Sequence, residues 1–420
     1  MWTLYRAKHR VLDKAENQNC NSYNKLHSYG HIVKERNPGS MAYLQTITPV
    51  PGGPTLFQRF FLNFTAQKDG FLYGCRPFIR LDACHLKGKF SRVLMSAVGL
   101  DANNGVFPIA LCVAEGESKQ SWGWFLEQLY LHIGLEETRR VTFMSDRQKG
   151  VLDTVVRQWP RATNRFCVRH IIANLQAKYR GPLNGVYVWD ATNKSNKREF
   201  LEEIEKLKLV NIDAYNYVMG IPLKSWCIHE FDTHVKSEHT TNNISENFNS
   251  WVDELRSLPA LHMLESIRRK LMKRANKRLE STKKWDGNVP PAVCKKLAKM
   301  QDKGRFVTVL CASETKFEVK DELIYYNVDL ENYTCDCGFW QVSGIPCKHA
   351  MAVINTKRLN SHDFVHKYLT KEYYLKTYSH VINPIPNEFL WPEIEHIEVL
   401  PPMKKKMSGR PKKKQKNEQR

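Results

Sequence analysis

Four metal-competent side chains fall within fifteen residues of this chain: Cys335-Asp336-Cys337, then nine residues, then Cys347-Lys348-His349. On a strand, residues i and i+2 point to the same face, so a Cys-x-Cys pair there can grip one ion. Cys-x-His then returns across a loop and completes a tetrahedron. Three thiolates and one imidazole suit Zn²⁺ and fill all four positions, which makes such a site structural. The plainer reading is a set of buried thiols beside an unrelated histidine, but four donors so close in sequence favour the metal.

The rest of the composition sets broader bounds. At roughly 100–200 residues per domain, 420 residues leave room for two to four domains. A formal net charge of +21 points to nucleic acid or another polyanion as partner and says nothing of fold. The eleven cysteines are odd in number and irregular in spacing, which argues against a disulfide framework and for a reducing compartment. The first ten residues contain no apolar core of a signal peptide. The longest apolar run, Val106 to Ala114, is far short of the roughly 20 residues that span a bilayer. A soluble intracellular protein with no membrane partner is expected.

Along the chain, Tyr23, Leu26, Tyr29, Ile32 and Val33 recur at helical spacing until Asn37-Pro38-Gly39. Ala42 to Ile47 reads as a strand, and Phe57, Phe60, Phe61 and Phe64 as one face of a helix. Pro77–Ala83, Arg92–Leu100 and Val106–Ala114 read as three strands of an antiparallel meander. A helix from Ser121 to about Ile133, a strand Val141–Ser145, a helix Lys149–Trp159 and a strand ending near Phe166 follow, an α/β layer pattern. Residues 171–240 are mainly helical and polar. Thr241–Arg256 and Leu261–Leu279 read as helices, the latter with a basic face that is either phosphate-facing or merely solvated. Residues 304–337 turn strand-like, and the tail from Met403 carries nine Lys/Arg against one Glu and is expected to be disordered.

The stretch from Tyr333 to Ala350 closely resembles the SWIM zinc finger, which implies a small β-hairpin followed by a helix, Ala350 to about Ile354, and DNA or protein partners. Three acids stand out elsewhere. Asp82 ends one α/β strand, Asp146 ends another, and Glu246 lies on the Thr241–Arg256 helix. Acids at the carboxyl ends of strands stand where ligand sites form, and three converging carboxylates can hold two Mg²⁺ ions for phosphoryl transfer. Asp is also common there simply as a cap or turn residue.

The runs Gly74–Asp82, Ser121-Trp122-Gly123-Trp124-Phe125-Leu126, Ser145–Gly150 and Thr241-Asn242-Asn243-Ile244-Ser245-Glu246 resemble a plant Mutator-like transposase. With the finger, the likeness covers nearly the whole chain. It implies a ribonuclease H-like α/β core with an all-helical insertion, and a catalytic triad of Asp82, Asp146 and Glu246 using Mg²⁺ or Mn²⁺. The activity implied is metal-dependent DNA cleavage and strand transfer in the nucleus, as a homo-oligomer on DNA. Glu115 and Glu117 are left out of the triad. Related proteins carry a DNA-binding region before the core, whereas this chain starts close to the helices preceding it. That start fits a truncated or domesticated copy that binds DNA without cutting it.

The parts expected are an N-terminal helical region (1–69), the α/β core (70–256, insertion at about 176–240) and a basic helical segment (257–303). A strand-rich lead-in (304–332), the finger (333–356), a C-terminal segment (357–402) and a basic tail (403–420) complete the chain. Cys167 and His170 match the Cys-x-x-His element of these transposases. With His234 and His239 they form either a second zinc site or, on the plainer reading, a core cysteine near hydrogen-bonded histidines; Cys227-x-His229 is a weaker rival for the same role. Gly409-Arg410-Pro411-Lys412-Lys413 resembles an AT-hook core, which places an extended Arg in a narrow A·T minor groove. The same run reads as a nuclear localisation signal or as a solvated charged tail.

Overall fold

Apolar alternation through the first half of the chain is satisfied by burying both faces of one mixed sheet. The computed structural model describes residues 21–88, 90–134, 140–146 and 149–403. The sheet contains β1 (Met41–Ile47), β2 (Leu56–Asn63), β3 (Phe78–His85), β4 (Val93–Leu100), β5 (Val106–Ala114), β6 (Thr142–Ser145) and β7 (Thr163–Phe166). Their spatial order is β1-β2-β5-β4-β3-β6-β7. The first five in space are antiparallel, and β6 and β7 add in parallel beyond β3.

Alternate side chains feed two cores. On one face Phe60, Leu62, Leu94, Leu111 and Val113 meet α1 (Leu26–Arg36), α9 (Asn243–Trp251) and α10 (Ala260–Ser281). On the other, Ile79, Leu81, Met95 and Ile109 meet α2 (Thr65–Gly74), α3 (Lys119–Ile133) and α4 (Lys149–Gln158). Helix α3 starts where the sequence allows it to. Ser118 and Ser121 form a reciprocal capping box, and Gly134 closes the helix in the left-handed region at φ 53°.

One expectation is corrected. Phe57, Phe60, Phe61 and Phe64 do not line a helix, because Phe57, Phe60 and Phe61 belong to β2 and Phe64 follows it. Spacings of three and four also arise in a strand buried on both faces, where Phe60 and Phe61 serve opposite cores.

Between β7 and α9 lies a helical region with its own core around Phe200, Ile204 and Trp226, comprising α5 (Val168–Lys178), α6 (Asn184–Thr192), α7 (Lys197–Val210) and α8 (Ile212–Met219). After α11 (Pro291–Gly304) come β8 (Thr308–Cys311), β9 (Lys316–Asp321), β10 (Ile324–Asp329) and β11 (Thr334–Cys335), an antiparallel sheet ordered β11-β10-β9-β8. It packs with α11, α12 (Phe339–Ser343) and α13 (Lys348–Thr356).

The segment after the finger returns to the first core. Helix α14 (Lys371–Tyr378) buries Tyr374 and Tyr378 against the large sheet, and the Tyr378 hydroxyl donates to buried Asp101 at 2.8 Å. Arg278 of α10 donates to the same carboxylate at 3.0 Å. Helices α2 and α14 touch backbone to backbone: a Cβ at Gly74 would overlap the amide nitrogen and hydroxyl of Thr377. Because backbone atoms cannot rotate away, Gly74→Ala should destabilise the fold by about 1–3 kcal/mol. A lowered midpoint in urea unfolding would show it, and an unchanged midpoint would refute the close crossing.

Candidate functional site

The first candidate centre follows from strand register. In the parallel β3–β6 ladder Phe78 faces Thr142, Ile79 faces Phe143 and Arg80 faces Met144. Carried two residues on, that register sets Asp82 level with Asp146, which directly follows β6. Strand alternation turns Asp82 toward the same face as Cys84, the face that carries α9, while Leu81 goes to the opposite core.

Two donors fix the Asp82 carboxylate. The Ala83 amide donates to Oδ1 at 3.0 Å and Asn249 Nδ2 of α9 to Oδ2 at 3.0 Å. Burial chiefly, together with the negative charges of Asp146 and Glu117, raises this carboxyl to about 6 against the pull of the Ala83 amide and His170. His170 is itself held above its usual range, first by its hydrogen bond to Cys167 and then by the charges of Asp146 and Asp82. Burial pushes the Cys167 thiol up, but His170 and the Asn242 amide more than offset it and leave the thiol below its usual range. A thiol–imidazole pair therefore lies within electrostatic reach of the two aspartates.

Helix α9 is pinned here by the residue before it. Asn242 donates through Nδ2 to the Leu81 carbonyl at 3.1 Å and through its amide to Cys167 Sγ at 3.3 Å. Ser245 Oγ donates back to Asn242 Oδ1 at 3.0 Å. The Thr-Asn-Asn-Ile-Ser-Glu run thus clamps the helix to the strand that carries Asp82. Among the described residues Glu246 is not gathered with the two aspartates at ligating distance; it is about half exposed and pairs with Arg169 Nη1 at 3.0 Å. Asn249, three residues on, takes the position facing Asp82.

The second centre is the cysteine cluster. Cys335, Cys337, Cys347 and His349 are all buried, with ligand atoms within 4.8 Å of one another. Among the described residues they are the one group of three or more Cys, His, Asp or Glu so gathered. His349 Nδ1 lies 3.5 Å from Cys335 Sγ and 3.9 Å from Cys347 Sγ. Bonds of about 2.3 Å to sulfur and 2.0–2.1 Å to nitrogen put the corners of a tetrahedron roughly 3.5–3.8 Å apart, so the donor set fits Zn²⁺. On its far side His349 Nε2 meets Asp321 Oδ2 at 3.1 Å, and Tyr326 stacks on the ring at 4.2 Å. Cys347 caps α13, its sulfur accepting from the Ala350 amide at 3.4 Å.

The other expected donors find separate partners. His234 pairs with Asp232 at 2.7 Å, and His239 Nδ1 lies 2.8 Å from Ser237 Oγ. Burial, with the nearby Arg80 charge, lowers His239 to about 3, so it is neutral. These histidines and the Cys167–His170 pair are not gathered at ligating distance. His229 packs at a tilt on Phe200, ring centres 4.5 Å apart, and burial raises the Cys227 thiol. Glu115 is bound by Arg59. Gly409, Arg410, Pro411, Lys412 and Lys413 lie outside the described residues. Sequence reasoning missed Asn249, Asn242 and Arg169; the dense polar run at 241–249 was the one signal for the two asparagines.

Two family models match parts of the chain. Residues 78–174, which include Asp82, Asp146, Cys167 and His170, match the MULE transposase domain. Residues 326–358 match the SWIM zinc finger. Protein FAR1-RELATED SEQUENCE 6 of Arabidopsis thaliana is similar over 136 residues at 24% identity. The match covers 32% of this chain and 18% of that relative, so the chain spans a minor part of the relative's length.

Asp82 makes a pH prediction. Its folded value of about 6 lies above the ordinary 3.8, so the folded chain resists ionising it. The penalty is absent below about pH 3.8, grows as the pH rises through 6 and is full above. Without added divalent cation, Asp82→Asn should stabilise the fold at pH 7.5 by on the order of 1–3 kcal/mol. The gain should vanish near pH 4, as read by urea unfolding at both pH values; equal gains at both would refute the assignment.

Proposed function

We propose that this chain is a Mutator-like transposase, or a nuclear protein descended from one, built on a ribonuclease H-like core that binds DNA. The observation that carries the reading is the level placement of Asp82 on β3 and Asp146 just after the parallel β6, inside the region that matches the MULE transposase domain. Three antiparallel strands followed by two parallel ones, in the order β5-β4-β3-β6-β7, support the core assignment. A helical region between β7 and α9 fits the insertion that precedes the third acid.

In this reading Asp82 and Asp146 hold Mg²⁺ or Mn²⁺, with Glu246 as the family's third acid. Bound divalent cations supply positive charge to the attacking and leaving oxygens of a phosphodiester. The chain's own contribution is orientation. The Ala83 amide and Asn249 aim Asp82, the Asn242 clamp fixes α9 against β3, and His170 adds an imidazole whose pKa is held above its usual range. The net charge of +21 favours approach to DNA, and the Arg410 tail adds an AT-hook-like and nuclear-targeting element. Oligomerisation on DNA belongs to the same reading. Among the described residues, no helix is long and apolar enough to cross a membrane.

A second reading, a DNA-binding regulator that no longer cuts, draws on one observation: Glu246 is engaged by Arg169 and not by the aspartate pair. Mn²⁺-dependent nicking of DNA carrying candidate terminal repeats separates the two. Transposase chemistry requires nicking by the wild type and at least about a hundredfold less by Asp146→Asn. Equal signals from both remove the catalytic reading.

Cys335, Cys337, Cys347 and His349 hold a structural zinc in this proposal. Asp321 accepts from His349 Nε2, leaving Nδ1 to face the thiolates. Asp321→Asn should weaken zinc retention about 10–100-fold, measured by chelator competition. Retention equal to wild type would show that Asp321 plays no part in holding the imidazole.

A further inference from the structure

The Asn249 side chain is half satisfied. Its Nδ2 donates to Asp82, but its Oδ1 is buried and has no hydrogen-bond partner among the described residues. An orphaned amide oxygen costs about 1–3 kcal/mol, and in a native fold it calls for a missing water or ion. Here the orphan sits beside a carboxylate that is level with a second one. Hard divalent cations take oxygen donors of this kind, amide carbonyls and carboxylates together. Glu246, the acid one turn earlier on α9, is turned out to Arg169. The helix therefore presents an amide, and not a carboxylate, to Asp82.

From this geometry we infer that Asn249 is a cation-binding residue, its Oδ1 completing a divalent-metal site with Asp82 and Asp146. The inference rests on the proposed transposase-type centre but goes beyond it, since it assigns a donor outside the three acids. The Asn242 clamp to Leu81 holds α9 so that Asn249 reaches β3. The amide can turn by 180° about its last bond, so one side chain can steady the free carboxylate and then offer its oxygen to the ion.

The test is Mn²⁺ binding to the full chain with zinc retained, followed by the loss of free-Mn²⁺ electron paramagnetic resonance signal at pH 7.5. Asn249→Ala should weaken binding about tenfold. Asn249→Asp should tighten it, because a carboxylate replaces the amide oxygen. If Asn249 serves only as a donor that props Asp82, Asn249→Asp should instead weaken binding, through repulsion between the two carboxylates. Weaker binding by Asn249→Asp, or wild-type binding by Asn249→Ala, overturns the inference. Asp82→Asn is the separate control: unchanged Mn²⁺ binding there defeats the underlying reading of the aspartate pair. Metal-free melting curves, matched to wild type for the Asn249 variants and no lower than wild type for Asp82→Asn, exclude loss of fold as the cause.

Discussion

Everything at the aspartate centre depends on the parallel register of β3 and β6. A one-residue slip would move Asp146 off the level of Asp82 and turn its neighbours to the opposite face. The register is held beyond the ladder itself. The Thr142 amide donates to the Pro77 carbonyl at 3.0 Å, and the Cys167 amide continues the pattern to Ser145 at 3.0 Å. The Cys167–His170 pair is thereby delivered to the ends of the strands that carry the acids. Helix α9 then closes the site from the other side through Asn242.

The zinc module is coupled to the rest by polar contacts. Ser195 Oγ donates to the Cys337 carbonyl at 2.7 Å, and Lys236 Nζ to the Gln341 carbonyl at 2.9 Å. Both donors come from the region between β7 and α9, so the finger braces the helices that lead into the Asn242 clamp. A Cβ at Gly338, which lies at φ 74°, would press on the Ser195 carbonyl at 2.5 Å, so this junction tolerates little added bulk. The finger thus packs against the region that leads into the Asn242 clamp.

Much of this was legible in the residues. The strand Val106–Ala114 keeps its expected bounds because its apolar run is unambiguous. The cysteine spacing named its own ligands, since Cys-x-Cys and Cys-x-His can close on one ion with little help from distant parts of the chain. Phe57 to Phe64 misled because strand and helix periods coincide when both faces are buried. Glu246 and Asn249 share a short polar run, and spacing on a helix cannot say which of two groups three residues apart meets a strand.

The sequence alone thus determined the Cys3His cluster, the two aspartates at strand ends and the basic character of the chain, all of which are local or additive properties. Tertiary structure decided the rest. It joined Asp82 to Asp146 through a parallel pairing between segments 64 residues apart in the ladder. It set Cys167 with His170 and kept them from His234 and His239, and it gave Asn249 the place beside Asp82 while Arg169 took Glu246. Each of these depends on how α9 and the helical region dock on the sheet, and docking is a property of buried surfaces that no short window of sequence contains.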